Sequence, residues 1–277
     1  MGEKTIMKQY GEILFLGLCN LKCFYCLSAE MKKLKKEKEN QMNVHFKEWK
    51  DFDTFLLRCK DKKIDTIYLS SVTTEPMLYK YINMLIKYLR EKGFHVGIRT
   101  NGYYAEEKIE ALLLCNEEIS FSINSFNEKT NNSICKCNYI PNWSNIFEMF
   151  RKDNKKCRIS IVVNQYNYNE ILDMLDFLSK YKDIISYVQL RRVYKYDKQS
   201  KNIDGDYYYK IIKDLENIAK EKESFYESRQ FLYKDLSVSL WNDVFKKESI
   251  TSINYFTNGI ISTNNLLIPA YEKGETE

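Results

Sequence analysis

Three cysteines near the amino terminus have a spacing that is typical of iron–sulfur proteins. Cys19, Cys23 and Cys26 are separated by three and by two residues, and they follow the apolar run 13–16. Cysteine thiolates are the protein ligands of [4Fe-4S] clusters, and three thiolates bind three of the irons. The remaining iron is then open to another ligand, so the spacing indicates a cluster that takes part in a reaction.

Two other interpretations of the cysteines are open: a zinc site with a distant fourth ligand, and buried thiols without a metal. Zinc sites favour closely spaced cysteine pairs and closed tetrahedral sets. The chain of 277 residues has only two histidines, His45 and His95, and no second pair of cysteines separated by two residues. The spacing therefore favours iron over zinc.

The cysteine segment resembles the motif of the radical S-adenosylmethionine (radical SAM) superfamily, CxxxCxΦC, in which Φ is aromatic. Tyr25 occupies the aromatic position. The resemblance implies one [4Fe-4S] cluster on Cys19, Cys23 and Cys26, with the methionine end of SAM on the open iron. It also implies that Tyr25 places its neighbouring backbone against adenine. Relatives with auxiliary clusters carry cysteines in a C-terminal hairpin, and residues 225–277 contain none, so we expect no auxiliary cluster.

A second family motif is matched in part by residues 73–76. Family members usually have Gly-Gly-Glu-Pro in this segment, and the resemblance assigns Glu75 and nearby carbonyls to the ammonium of SAM. Thr73 and Thr74 replace both glycines. Threonine is poorly suited to positive φ, which leaves open the backbone conformation and its approach to SAM. The alternative for Glu75 is a surface glutamate before a proline.

Polar residues at two further strand ends complete the candidate SAM site. Residues 100–102 resemble the family's Thr-Asn-Gly ending of the third strand. Period-two alternation in the fourth predicted strand places Ser120, Ser122 and Asn124 on one face. An inward-facing polar row suits the SAM carboxylate and ribose hydroxyls. Its expected members are Thr100, Asn101, Ser122 and Asn124. The alternative is local turn capping, which is strongest for Asn101.

The last two predicted strands add two candidates. Asn164 ends the fifth strand and is a candidate ligand of ribose or substrate. An inward Arg191 on the sixth strand would be a costly buried cation unless a carboxylate of SAM or of the substrate paired with it. Alternation sends Arg191 and Arg192 to opposite faces, so a surface position is the alternative. Trp241 is expected to be an aromatic residue of the core, and stacking on a base or sugar is the alternative.

These candidates follow apolar segments that alternate with helical ones. Six strands are predicted, at 12–18, 66–70, 95–99, 119–123, 158–163 and 186–191. Helices are predicted at 46–58, 78–90, 105–113, 143–151 and 170–180. This alternation predicts an α/β fold with a parallel sheet. The resemblance implies a partial (β/α)6 barrel, whose active residues lie at the C-terminal strand ends.

Residues 1–200 are expected to form the barrel core, and residues 201–277 an extension that packs on it within a single domain. The extension is predicted to contain a helix at 207–222 and a less regular tail from residue 225, with a hairpin at Asn258-Gly259. Cys135 and Cys137 are predicted to lie in a polar loop after the fourth strand. They are expected to be ordinary loop thiols, with contact to substrate or ligation of a further group as the alternatives.

Composition restricts the function classes. The chain has no apolar run of about 18 residues and no signal-peptide or repeat pattern, which predicts no membrane partner and a cytoplasmic location. Eight cysteines suit a reducing compartment, in which thiols persist. The net charge of +5 is modest and gives no indication of a nucleic-acid partner.

The resemblance implies reductive cleavage of SAM to methionine and a 5'-deoxyadenosyl radical, which abstracts a hydrogen atom from a substrate beneath the C-terminal tail. It also implies an electron donor such as flavodoxin or ferredoxin. Two substrate classes compete: a small metabolite (sugar, nucleoside or nucleotide), and a ribosomal peptide or amino-acid side chain that is epimerised or cross-linked. The short segment before Ile13 favours the metabolite. A non-catalytic iron–sulfur or zinc protein is the alternative from another class, motivated by Thr73 and Thr74.

Overall fold

Six parallel strands in chain order form the centre of the sheet. The computed structural model describes residues 9–26, 28, 39–193, 205–225, 228–241 and 252–263. Strands β1 to β6 are Gly11–Phe15, Thr66–Ser71, His95–Thr100, Ile119–Ser122, Cys157–Val163 and Ile185–Arg192. Each pairs in parallel with the next. The sheet is open, so the predicted α/β fold with a partial (β/α)6 barrel is confirmed.

Helices connect the strands and cover one face of the sheet. Helices α1 to α6 are Phe52–Asp61, Ile82–Glu91, Ile109–Leu114, Glu128–Cys135, Trp143–Lys152 and Ile171–Ser179. Short 3-10 turns lie at Phe46–Glu48, Pro76–Leu78 and Tyr168–Glu170. Within the described residues, no helix has both the length and the apolar character needed to cross a membrane.

The later elements extend both edges of the same sheet. They are α7 (Gly205–Ile218), β7 (Lys220–Phe225), β8 (Ser228–Tyr233), β9 (Leu236–Trp241), β10 (Ile253–Phe256) and β11 (Ile261–Ser262). Strand β9 pairs in parallel with β6, and β10 pairs in parallel with β1. The predicted hairpin at Asn258-Gly259 is confirmed: β10 and β11 are antiparallel, and Gly259 has the positive φ of 100° that its turn needs.

Two predictions about local structure are wrong. The helix predicted at 207–222 ends at Ile218, and Lys220–Phe225 is a strand because β8 pairs with its backbone. The segment is rich in charge, so tertiary pairing overrides its weak strand propensity. Cys135 ends helix α4 and does not lie in a loop. The missed signal is Asn127, whose side chain caps α4 by accepting hydrogen bonds from the backbone of Lys129 and Thr130.

Several element boundaries also differ from prediction. Helices α1, α2 and α3 begin at residues 52, 82 and 109, several residues later than predicted. Residues 46–48 and 76–78 form 3-10 turns, capped by the side chains of His45 and Glu75. Strand β1 ends at Phe15, three residues before the predicted end at residue 18. The hydrophobic periodicity of the helices continues through these turns, so the periodicity alone does not show where each helix begins.

The two faces of the sheet differ in polarity. Ile13, Leu69 and Ile98 lie on the outer face and belong to the hydrophobic core beneath the helices. Side chains of the alternate positions lie on the inner face. These include Glu12, Tyr68, Arg99, Ser120, Arg158, Ser160, Gln189 and Ser239. We call the space in front of this inner face the lumen. Parallel strands buried on both faces are usually apolar throughout, so the polar inner face marks the lumen as the place for a ligand.

A buried ion pair ties two of the central strands together across the lumen. The Arg99 guanidinium donates to the Glu12 carboxylate and lies 4.8 Å from the Tyr68 ring centre. Glu12→Gln leaves Arg99 without its counter-charge, and we expect a loss of about 2 kcal/mol of unfolding free energy, below the fully buried case because Arg99 is partly exposed. Urea unfolding measures the change. Glu110→Gln, which removes an exposed carboxylate 3.6 Å from Lys87, is the control and should change stability little. Equal changes in both variants would contradict the prediction.

Candidate active site

The cysteine loop follows β1 and is held against the end of helix α4. The backbone N–H of Lys22 donates to the carbonyl of Cys135 at 2.9 Å, and that of Phe24 donates to the carbonyl of Ile134 at 3.1 Å. These carbonyls belong to the last turn of α4, where helix carbonyls lack intrahelical partners. The loop therefore takes its position at the carboxyl end of the sheet from a helix that is more than a hundred residues away in sequence.

The three thiols of the loop are free and half-buried. The backbone N–H of Leu21 donates to the Cys19 sulfur at 3.4 Å. Burial raises the pKa of the Cys19 thiol to about 11. A hydrogen bond shared with the Cys135 thiol, together with burial, raises the pKa of Cys23 as well. Both thiols are protonated at neutral pH in the iron-free protein, so metal binding here releases protons.

The residues of the loop fit a [4Fe-4S] cluster better than a single metal ion. Within the part of the chain that the structure describes, no three His, Cys, Asp or Glu side chains converge on one point. A zinc ion requires such convergence, whereas in a cluster each thiolate binds a different iron. Cys19, Cys23 and Cys26 are therefore the residues that would hold such a cluster.

An unpartnered amide lies beside the first cysteine. Asn20 accepts a hydrogen bond from the side-chain amide of Asn101 at 3.0 Å. Its own Nδ2 is buried and has no hydrogen-bond partner among the described residues. A buried donor without an acceptor is costly. The Asn20 amide is therefore available to donate a hydrogen bond to a bound group, for example to a sulfide or to a carboxylate oxygen.

Glu75 is buried at the same edge of the sheet, so it is not a surface glutamate. Its carboxylate accepts hydrogen bonds from Thr100 Oγ1 at 2.5 Å, from the backbone N–H of Asn101 at 2.8 Å and from that of Met77 at 3.1 Å. Burial raises the pKa of Glu75 to about 7. The structure therefore brings the predicted residues Glu75, Thr100 and Asn101 together, next to Asn20 and the cysteine loop.

Thr73 and Thr74 hold the backbone that leads into the cysteine loop. The N–H of Gly17 donates to Thr73 Oγ1 at 3.2 Å, and Thr74 Oγ1 donates to the carbonyl of Leu18 at 2.8 Å. Neither threonine has a positive φ. The conformation is therefore compatible with threonine, and the two side chains add contacts that glycines cannot make. Sequence reasoning missed this role because the partners lie 56 residues away.

Replacement of both threonines by valine tests this contact. Valine keeps the shape and removes the hydroxyl, so we expect a loss of about 1 kcal/mol per hydrogen bond. A less firmly held loop should also lower the iron bound per chain after reconstitution. Thermal unfolding and iron analysis measure the two effects. Thr66→Val is the control, because Thr66 is buried at the opposite end of the sheet and its hydroxyl donates to the adjacent Asp65. The prediction would be contradicted if the double variant kept its full iron content, or if the control lost iron and the double variant did not.

Tyr25 connects the cysteine loop to the end of β4. Its hydroxyl donates to Asn124 Oδ1, and Asn124 also hydrogen-bonds the thiol of Cys135. Burial raises the pKa of Tyr25, so it remains a neutral donor. Ser120 and Ser122 share the inner face as predicted, and Ser122 is exposed at the strand end. A cleft beside it is lined by Leu21, Asn101, Tyr103, Ser122, Asn124 and Tyr139.

The remaining two candidates lie after β5 and on β6. Asn164 is fully buried, and its amide donates to the carbonyl of Val162 and accepts from the backbone N–H of Tyr166. These bonds organise the turn after β5, and a binding role for Asn164 stays a prediction. Arg191 lies on the inner face of β6, because its neighbour Leu190 is in the hydrophobic core.

The sequence model of one family matches most of this region. The model described as the radical SAM superfamily matches residues 13–178, which include the cysteine loop and Glu75. The chain belongs to the radical SAM superfamily. The match covers β1 to α6, so it includes the strand ends that surround the candidate site.

Curated relatives of this radical SAM chain differ in what they are named for. It is 33% identical over 162 residues to an S-adenosylmethionine-dependent nucleotide dehydratase of Fibrobacter sp. (strain UWH6), covering 56% of this chain and 47% of the relative. It is 22% identical over 183 residues to a protein of Methanocaldococcus jannaschii named as a glycyl-radical enzyme activating enzyme, covering 66% and 52%. The chain thus spans about half the length of these relatives.

A solved structure shares the radical SAM fold of this chain. The crystal structure of SuiB from Streptococcus suis superposes with a TM-score of 0.66 at 15% identity, covering 98% of this chain and 63% of SuiB. SuiB has also been solved with its precursor peptide SuiA. At this identity the likeness concerns the fold.

Proposed function

We propose that the chain cleaves SAM reductively at a single [4Fe-4S] cluster held by Cys19, Cys23 and Cys26. The 5'-deoxyadenosyl radical then abstracts a hydrogen atom from a small metabolite. The observation that carries the proposal is the unpartnered Asn20 amide beside Cys19, which is bonded to Asn101 and through it to the buried Glu75. One network thus joins the cysteine loop to a carboxylate.

The same network suggests how the cofactor is held. Glu75 is the candidate partner of the SAM ammonium, with Thr100 and Asn101 fixing its orientation. The exposed Ser122 and its neighbour Asn124 are the candidates for ribose and carboxylate contacts. The backbone next to Tyr25 is the candidate contact for adenine. In this arrangement the protein orients the cofactor and excludes water, while the radical chemistry belongs to the cofactor.

A nucleotide or a related sugar or nucleoside is the substrate class we favour. The relative with 33% identity is named as a nucleotide dehydratase, and the lumen offers many hydroxyl and amide groups to a polar substrate. A ribosomal peptide is the second candidate, favoured by the fold likeness to SuiB. We further propose a flavodoxin or ferredoxin as electron donor, and a cytoplasmic location, which suits the eight free thiols.

Anaerobic reconstitution tests the proposal. The reduced, iron-loaded protein is incubated with SAM and with metabolite or peptide fractions from cells grown in deuterated medium. We expect 5'-deoxyadenosine to form and to gain deuterium from the nucleotide-containing fraction. Deuterium from the peptide fraction alone would favour the second candidate. An intact cluster that yields no 5'-deoxyadenosine would remove the enzyme proposal altogether.

A further inference from the structure

Arg191 is a cation that faces the lumen. Val188 and Leu190 belong to the hydrophobic core, so alternation places Gln189 and Arg191 on the opposite, inner face of β6. The next residue, Arg192, has its guanidinium 5.3 Å from the ring centre of Tyr209 on helix α7. The two adjacent arginines therefore point to different sides of the sheet, and Arg191 is the inward one.

The other two arginines of the lumen have carboxylate partners. Arg99 pairs with Glu12, and Arg158 pairs with Glu118 at 2.7 Å. Among the described residues, no carboxylate and no hydrogen-bond acceptor pairs with Arg191. The three arginines thus face two carboxylates, and the positive charge of Arg191 is left unbalanced.

Arg191 remains charged in this environment. Its side chain is partly exposed. Burial, together with Arg158 and Arg99, lowers the pKa of Arg191 to about 10. A guanidinium with this pKa is still a cation at neutral pH. A desolvated cation without a partner is costly, so the counter-charge is expected to come from a bound molecule.

The surroundings of Arg191 lie below the cysteine loop. Tyr25 of the loop and Tyr187 of β6 are near enough to influence its pKa. Trp241 is its cross-strand neighbour on β9, and the indole N–H donates to Ser239 Oγ at 2.8 Å. Ser239 pairs with Gln189 and shares its inner face. The Trp241 ring is therefore held along the lumen, next to the unpaired cation.

We propose that Arg191 binds an anionic group of the substrate, a phosphate or a carboxylate, in the lumen beneath the cysteine loop. Arginine suits both groups because its planar fork donates two parallel hydrogen bonds. The candidate site for the SAM ammonium is at Glu75, after β2, whereas Arg191 is on β6 and near Arg158 and Arg99. The inference rests on the proposed function and adds that the substrate is an anion.

Chemical modification of the reconstituted protein tests the site without turnover. Phenylglyoxal reacts with accessible arginines, and peptide mass spectrometry gives the rate at Arg191. We expect pyrophosphate or succinate to slow this rate severalfold and to leave the rate at the exposed Arg90 unchanged. Protection by pyrophosphate alone indicates a phosphate group, and protection by succinate alone a carboxylate. An Arg191 that never reacts, that neither anion protects, or that SAM alone protects would overturn the proposal.

Two substitutions provide a second measurement. With a deuterated fraction that labels 5'-deoxyadenosine, Arg191→Gln should weaken the apparent affinity for the substrate roughly tenfold to a hundredfold, the range for a lost charged hydrogen bond. Arg191→Lys keeps the charge without the planar fork and should restore part of this loss. Equal losses in both variants would contradict an anion site. Protection of Arg191 does not depend on SAM cleavage, so failure of this inference and failure of the proposed function are separately visible.

Discussion

Replacement of Cys23 by alanine is expected to abolish the brown absorbance of the reconstituted cluster and, with it, the formation of 5'-deoxyadenosine. A cluster held by three thiolates loses the protein ligand of one iron, and the loop contains no further cysteine to replace it. Iron and sulfide per chain, the visible absorption spectrum and the yield of 5'-deoxyadenosine measure the effect. We expect the yield to fall below detection.

Cys137→Ala is the matched control for this substitution. Cys137 is also a half-buried free thiol, and its sulfur makes a weak contact with the carbonyl of Tyr139 at 3.7 Å. The control should keep its cluster and its activity. Full cluster content in Cys23→Ala would refute the ligand assignment, and loss of the cluster in both variants would show a general sensitivity to cysteine loss.

Replacement of Glu75 by alanine should be strongly destabilising. Its carboxylate accepts three hydrogen bonds, from Thr100, Asn101 and Met77, and it lies in a buried position. Each buried donor left without an acceptor costs about 1–3 kcal/mol, so we expect a loss of roughly 3–6 kcal/mol. Chemical unfolding of the iron-free protein measures it. A change below about 1 kcal/mol would contradict the role of Glu75 in holding the two strand ends.

Glu75 should also make the stability of the folded protein depend on pH, and Glu75→Gln should remove this dependence. Its pKa is raised to about 7 by burial, above the ordinary value of 4.5. The folded protein binds the extra proton between these values, so its stability should fall by about 3 kcal/mol as the pH rises through this window. Unfolding of the iron-free protein at a series of pH values measures the slope. The glutamine of Glu75→Gln cannot titrate, so the variant should lack the contribution of Glu75 to the slope. An identical slope in both proteins would refute the raised pKa of Glu75.

The same titration tests whether Glu75 binds the SAM ammonium. An ammonium favours the charged carboxylate, so the affinity of the reconstituted protein for SAM should increase as the pH rises through 7. Calorimetric titration with SAM at several pH values measures this dependence. Glu75→Gln should bind SAM more weakly and without this dependence. An unchanged affinity in the variant would remove Glu75 from the cofactor site.

Much of the fold and part of the site could be predicted because the signals are local. Short apolar runs predicted all six central strands, and the period of 3.6 residues predicted five of the helices that pack on them. The resemblance of residues 19–26 predicted the family that the sequence comparison then identified. Helix α4 was missed because it is polar and short, although Asn127 provides a capping signal.

Contacts between distant segments could not be predicted in this way. The sequence pattern allowed the Arg191 side chain to face either water or the lumen. The burial of Leu190 on the other face of β6 decided between these two orientations. The threonines at 73 and 74 suggested a weakened family motif, whereas their hydroxyls contact the backbone at Gly17 and Leu18. Cys135 was predicted in a loop and lies buried beside Cys23.

The sequence by itself determined the three cysteines, the order of strands and helices, and the family of the chain, because spacing and periodicity are properties of neighbouring residues. Only the tertiary structure decided which groups meet. It placed Asn20 and Asn101 next to Glu75 and joined β9 and β10 to opposite sides of the six central strands. Among the residues that the structure describes, it also left Arg191 without a carboxylate partner. The physical reason is that pairing across strands depends on how remote segments pack, and a local pattern does not contain that information.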